Sequence, residues 1–304
     1  MEYAGSYALF NYRLEDPNRS MDYDNLRLIR AFEQGLDPKS SEAGFVLVHV
    51  SMVRNSGPLI SGTLQVLNAC ASNNREEFNA GLTTVVEALK RVNHVMNEMW
   101  NKSKPGDYTS FRTFIFGIAN QSMFPNGVIY EGYSNEPMYF RGESGANDSM
   151  IPLSDNLLQI RMPDTPLTEI LQDFRAYRPG NHREFLEWVH QSAESVGVKD
   201  FALQDKESAL YYLRALNQVR DFRWRHWGFT KEYILRHTKH KTATGGSPIV
   251  TWLPNQLQAV LEQMVETEQC CGSSNEVEGI MDLARLQKLT LKKDVDRYCS
   301  ELEA

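Results

Sequence analysis

Cysteine is scarce in this sequence: four of 304 residues, Cys70, Cys270, Cys271 and Cys299. Two are adjacent and none has zinc-site spacing. A disulfide scaffold and a structural zinc module are therefore excluded, and reduced structural thiols of a cytosolic protein are expected. The chain also lacks an uncharged apolar run approaching the ~20 residues that span a bilayer, so no membrane helix is expected. Its start has no basic segment followed by an apolar one, so no signal peptide is read and the expected location is cytoplasmic. Positive charge is in deficit: 32 Lys and Arg against 39 Asp and Glu leave a formal net charge of −7. No basic patch interleaves with aromatics, so neither nucleic acid nor anionic membrane fits as a partner. Internal repeats, alternating strand patterns, a metalloprotease motif and a nucleophile elbow are also missing. Cys and His candidates for a thiol hydrolase exist, but no spacing brings them together.

The pattern that is present is helical. Phe78, Leu82, Val85, Leu89, Val92, Met96 and Met99 step by four and three, and Asn74 with Glu77 forms a capping pair ahead of them. A second apolar helix is expected from Glu42 to about Arg54, closed by Ser56-Gly57-Pro58. Asp107 to Phe116 is a short aromatic helix ending at Gly117, followed by a long irregular stretch from Ile118 to Arg141. Helices resume near Ser149 and break once at Pro179-Gly180. The longest runs from about Lys206 to His240, and another from about Val250 to Val265. The fold class is all-α. The expected organisation is a large helical catalytic domain over 1–265, then a linker and a charged C-terminal helix over 266–304.

Several residues could carry chemistry. Tyr212, Ala215, Val219, Phe222, His226, Phe229 and Tyr233 share one helix face, with His226 in mid-seam. By position it is either an axial ligand to haem iron or a core histidine bonded to a neighbour. Arg223, three residues earlier, needs an anion if buried: a haem propionate beside a carboxylate such as Asp155, or a surface ion pair. Phe45 and His49 lie one turn apart on GFVLVHVSMV and either face a cavity or pack in the core. Arg112, set among Phe111, Phe114 and Phe116, suits a bidentate grip on a carboxylate or a structural ion pair. Small residues in RGESGANDS, from Arg141 to Ser149, allow close backbone approach to a ligand. That loop lacks the context of a phosphate-binding loop. KTATGGSP, from Lys241 to Pro248, has the glycines of a mobile lid.

Taken in order, NYRLEDPNRSMDYDNL, GFVLVHV, SFRTFIFGIANQSMFPNGVIYEG, FRGESGANDS, DFRAYRPGNHREFLEWV, FRWRHWGFTKEYI and TATGGSP resemble the indoleamine 2,3-dioxygenases, from about Tyr7 to about Met264. The resemblance implies a helical haem b enzyme. It opens the indole ring of L-tryptophan with O2 to give N-formylkynurenine, the first step of tryptophan catabolism by the kynurenine pathway. It needs an electron donor to keep iron ferrous. His226 then matches the proximal iron ligand, Arg223 the propionate-binding arginine and Asp155 its acidic partner. Arg112 matches the substrate-carboxylate arginine, Phe45 the distal aromatic over the indole, and Ser144 and Gly145 the small-residue loop. Thr244 matches the threonine of the lid. His49 stands where the animal enzymes have serine and where the sister tryptophan 2,3-dioxygenases have a distal histidine. Phe116 and Ala146 also depart from the animal pattern. A smaller helical domain is expected ahead of the large one, and on that expectation the sequence is truncated. Two other readings are a haem enzyme acting on another indole, such as chlorinated tryptophan, and a haem-binding protein without turnover.

Overall fold

A computed structural model describes residues 10–118, 121–142, 148–162, 176–238 and 249–303. Helices dominate them: α1 Ser41–Val53, α2 Ser56–Ala71, α3 Arg75–Asn97, α4 Met99–Lys102, α5 Tyr108–Arg112 and α6 Met150–Leu157. Then follow α7 Gly180–Val196, α8 Val198–Leu203, α9 Lys206–Phe229, α10 Ile249–Glu268 and α11 Asn275–Glu303. The all-α class holds. The one sheet among the described residues is a short antiparallel pair that the sequence pattern does not reveal, β1 Tyr12–Leu14 with β2 Leu26–Leu28. Its loop is organised by buried Asn25, whose amide donates to Asp16 O at 3.0 Å and Ser20 O at 2.9 Å. Among the described residues no helix is long and apolar enough to cross a membrane.

The stripe Phe78, Leu82, Val85, Leu89, Val92 and Met96 is buried on α3, and Asn74 caps that helix by accepting from Glu77 N at 3.1 Å. Met99 falls outside it, in α4. Ser56-Gly57-Pro58 does not merely stop α1 as expected; it opens α2. Proline is tolerated there because the first turn of a helix has no intrahelical partners for its N–H groups. The expected helix to His240 ends its regular winding at Phe229 and continues as a π-helical turn, Thr230–Leu235. The linker expected after Glu266 narrows to 269–274, since α10 runs on to Glu268.

The positions of α1 and α9 are fixed by caps and close contacts. On α1, Ser40 caps the first turn by accepting from Ala43 N at 3.1 Å. Buried Glu42 is satisfied by Phe32 N at 2.7 Å, Gln34 N at 2.9 Å and Glu33 N at 3.0 Å. Gly44 lets α1 lie directly on α4, since a Cβ there would stand 1.8 Å from Lys102 O. This close approach sets the depth of Phe45 and His49. On α9, Asp205 caps the first turn, and Asn93 of α3 donates to Gln218 O at 3.0 Å and accepts from Arg225 at 2.7 Å.

Candidate active site

The seam on α9 is sealed at both ends and open in the middle. Tyr212, Ala215, Val219, Phe229 and Tyr233 are buried, whereas Phe222 and His226 are only half-buried. On α1 the same holds for Phe45 and His49 among fully buried neighbours. Yet both imidazoles lie deep enough for lost hydration to govern their titration. Burial pushes His226 down to about 4, and the nearby His49 and Arg223 push the same way. Burial also lowers His49, opposed by its bond to Phe45 O and by Asp148. His49 on α1 and His226 on α9 lie within electrostatic reach of each other.

The two histidines are prepared differently. His49 Nδ1 stands 2.7 Å from Phe45 O. A carbonyl only accepts, so in the neutral ring Nδ1 carries the proton and Nε2 keeps a lone pair. The ring also sits edge-on to Phe45, with centroids 4.9 Å apart. Neutral His226 keeps a nitrogen lone pair at physiological pH, the form a metal requires. Among the described residues no three His, Cys, Asp or Glu side chains gather around a metal position.

Arg223 makes the sharpest statement. Its Nη2 donates to both oxygens of Asp155, at 2.8 and 2.7 Å. Its Nε and Nη1 are also buried, and among the described residues they have no hydrogen-bond partner. Buried donors left unmade cost about 1–3 kcal/mol each. Asp155 answers Nη2; Nε and Nη1, which point to different sides of the guanidinium, each call for an acceptor. Burial holds the Asp155 carboxyl above its usual range, against the pull of Arg223.

Arg112 is buried, with its guanidinium over the Phe116 ring at 4.5 Å. Burial pulls its pKa below the ordinary arginine value, opposed by the Tyr108 hydroxyl. Its helix packs on α1: Phe45 meets Tyr108 and Phe111, with centroids 5.2 and 5.7 Å apart. Tyr108 in turn meets Tyr233 of the π-helical turn at 5.9 Å. That aromatic chain joins the His49 helix to the His226 helix. Sequence reasoning missed it because Tyr108 and Tyr233 are far apart along the chain. Asp148 was missed too. Burial raises its pKa, while His49, Arg178 and His182 pull it down. Ser144, Gly145, Ala146 and Thr244 lie outside the described residues. A surface cleft of about 440 Å³, lined by Arg75, Glu76, Asp205 and Glu207 among others, shares none of these residues.

Acid sensitivity follows from the histidines. An imidazole held below its unfolded value of about 6.5 lets the unfolded chain take up the proton first. Stability of the ligand-free protein therefore falls as pH drops from about 6.5 towards about 4, by at most about 3 kcal/mol for His226. The raised carboxyls of Asp148 and Asp155 act with the opposite sign over the carboxylate range. Denaturant titrations at several pH values should show a shallower slope for His226→Phe than for the parent. Parallel slopes would place the acid sensitivity elsewhere.

The family profile described as indoleamine 2,3-dioxygenase matches residues 1–279. The chain belongs to the indoleamine 2,3-dioxygenase family. Among its relatives, indoleamine 2,3-dioxygenase 2 of Homo sapiens is 27% identical over 259 residues, covering 84% of this chain and 61% of that protein. Indoleamine 2,3-dioxygenase 1 of Rattus norvegicus is 25% identical, covering 79% of this chain and 59% of that protein. The 6-hydroxytryptophan 2,3-dioxygenase of Fusarium equiseti is 29% identical over 150 residues, covering 48% and 36%. The chain thus spans about six-tenths of the two animal indoleamine 2,3-dioxygenases.

Proposed function

We propose that this protein is a haem-dependent dioxygenase that opens the indole C2–C3 bond of L-tryptophan with O2, giving N-formylkynurenine. The observation that carries the reading is Arg223, with one edge spent on Asp155 and two buried donors left over, three residues from a deep neutral histidine. That arrangement fits an iron porphyrin, which needs one imidazole and a counter-charge for a propionate. When bound, haem b would supply the iron and the redox chemistry for a reaction that places both atoms of O2 in the product.

The chain's own residues bind, orient and exclude water. His226 would be the one protein ligand to the iron. Arg223 would meet a propionate with one of its spare donors, Nε or Nη1, held in register by Asp155. Arg112 would grip the substrate carboxylate and so fix the reach of the indole edge, a proximity effect. Phe45 would pack against the indole. His49 Nε2, a lone-pair acceptor in the neutral ring, would take the indole N–H. It orients the substrate and removes no proton in the reaction. Ser144 and Gly145 would border the pocket and Thr244 would belong to its lid. An external electron donor would keep the iron ferrous.

A second reading has its own support: one relative bears a name that specifies 6-hydroxytryptophan. The substrate on that reading is a ring-substituted tryptophan. The test is the optical spectrum of the haem-reconstituted protein, reduced, with and without L-tryptophan and O2, followed by product analysis. A five-coordinate histidine-ligated ferrous spectrum and N-formylkynurenine are expected. Turnover of the hydroxylated substrate but not of tryptophan would move the assignment to the second reading. Stable haem with no oxygen uptake from either would leave a haem-binding protein.

A further inference from the structure

Trp227 follows His226 in the chain and is the largest fully buried side chain among the described residues. Its indole N–H donates to Asp294 Oδ2 of α11 at 3.0 Å. Lys231, one turn further along the same face, reaches the same oxygen at 2.6 Å. Tyr298, one turn beyond Asp294, closes the grip, its ring edge-on to Trp227 with centroids 6.0 Å apart. The Lys231 ammonium also lies between the rings of Trp224 and Trp227, at 5.7 and 5.8 Å. The Lys231 and Asp294 side chains keep only 21% and 15% of their exposure.

A half-desolvated ion pair is a weak source of stability, since well-packed apolar side chains would do as well. What such a pair supplies is geometry. Here geometry is in question, because regular winding stops at Phe229 and the next turn is π-helical. Arg236 N–H returns to Lys231 O, five residues back, at 3.2 Å. Wide turns of this kind are where a helix changes register, and they recur at functional sites. On one side Tyr233 ties the turn down by donating to Met99 O at 3.1 Å and to Ser103 O at 2.5 Å. On the other side the tie is Asp294.

We propose that Asp294 is a positioning residue for His226. Through Trp227 and Lys231 it fixes the helical turn that presents the imidazole. The inference rests on reading His226 as the iron ligand. The family match ends at residue 279, so the strap belongs to the part of α11 beyond it.

The test uses the haem-reconstituted full chain and two variants. Asp294→Ala removes both bonds; Asp294→Asn keeps an oxygen that can accept from Trp227. The readouts are the ferrous iron–histidine stretching band and the rate of haem loss to excess apomyoglobin. Outer groups that orient metal ligands are worth roughly 10- to 100-fold in metal affinity. Asp294→Ala should accordingly shift the band and speed haem loss by about tenfold or more, with helical circular dichroism retained. Asp294→Asn should fall between it and the parent. Variants that lose thermal stability but keep the parent's band and haem-loss rate overturn the proposal and leave α11 as packing alone. If the alanine variant does not fold, an asparagine variant with parental band and rate is sufficient to overturn it. Failure of the haem reading itself is distinct: no Soret band then appears in the parent or in any variant, and the positioning role falls with it.

Discussion

Replacing His226 with alanine is expected to abolish the ferrous spectrum of a histidine-ligated haem. The imidazole is held neutral by burial, its pKa pushed down to about 4, so it offers its lone pair without competition from protons. Removing the proposed iron ligand should cost more than the roughly 10- to 100-fold in affinity that outer-shell changes cost. The fold should survive, because His226 is only half-buried, while the seam is sealed by Tyr212, Val219 and Tyr233. Added imidazole should restore part of the spectrum. The decisive comparison is His49→Ala, since His49 on α1 lies within electrostatic reach of His226. If His49→Ala loses the ferrous spectrum and His226→Ala keeps it, the iron ligand is on the wrong helix.

The second large effect is expected at Arg112. Loss of a charge-assisted contact to the substrate carboxylate should cost about 1.5–3 kcal/mol, or roughly 10- to 150-fold in kcat/KM for tryptophan. Arg112→Lys should not rescue it. The guanidinium lies over Phe116 at 4.5 Å, and a lysine has neither the planar fork nor that stacking face. Indole substrates lacking a carboxylate should be nearly indifferent to Arg112→Gln. Equal losses for both substrate types would show that Arg112 serves the structure of α5, which joins Phe45 to Tyr233 through Tyr108, and not the substrate.

Several features are legible in the sequence because they are local. The stripe from Phe78 to Met96 repeats with the helical period, so it is buried wherever the helix packs. Asn74 is legible as a helix cap because four residues suffice to form its bond to Glu77 N, although the Glu77 side chain turns to Gln65 instead of back to Asn74. The seam around His226 is visible in the same way, and so is the turn that pairs Phe45 with His49. The departures from expectation are also local. Ser56-Gly57-Pro58 carries stop signals and start signals alike, and composition does not choose between them. The π-helical turn after Phe229 leaves the apolar period almost unchanged, so periodicity alone reads a regular helix there.

What the sequence by itself determined was the helical class, the faces that become core, and the family to which the motifs belong. Only the tertiary structure decided which of those faces meet. It brought His49 of α1 within electrostatic reach of His226 on α9 and paired Arg223 with Asp155 of α6. It left two donors of Arg223 without a partner among the described residues, and it carried Asp294 of α11 onto Trp227 and Lys231. The reason is physical. A helical stripe is written in residues three and four apart, so the chain carries its own record of it. A buried ion pair between distant helices satisfies only the desolvation demand of the packed interior, and that demand exists once the helices have met.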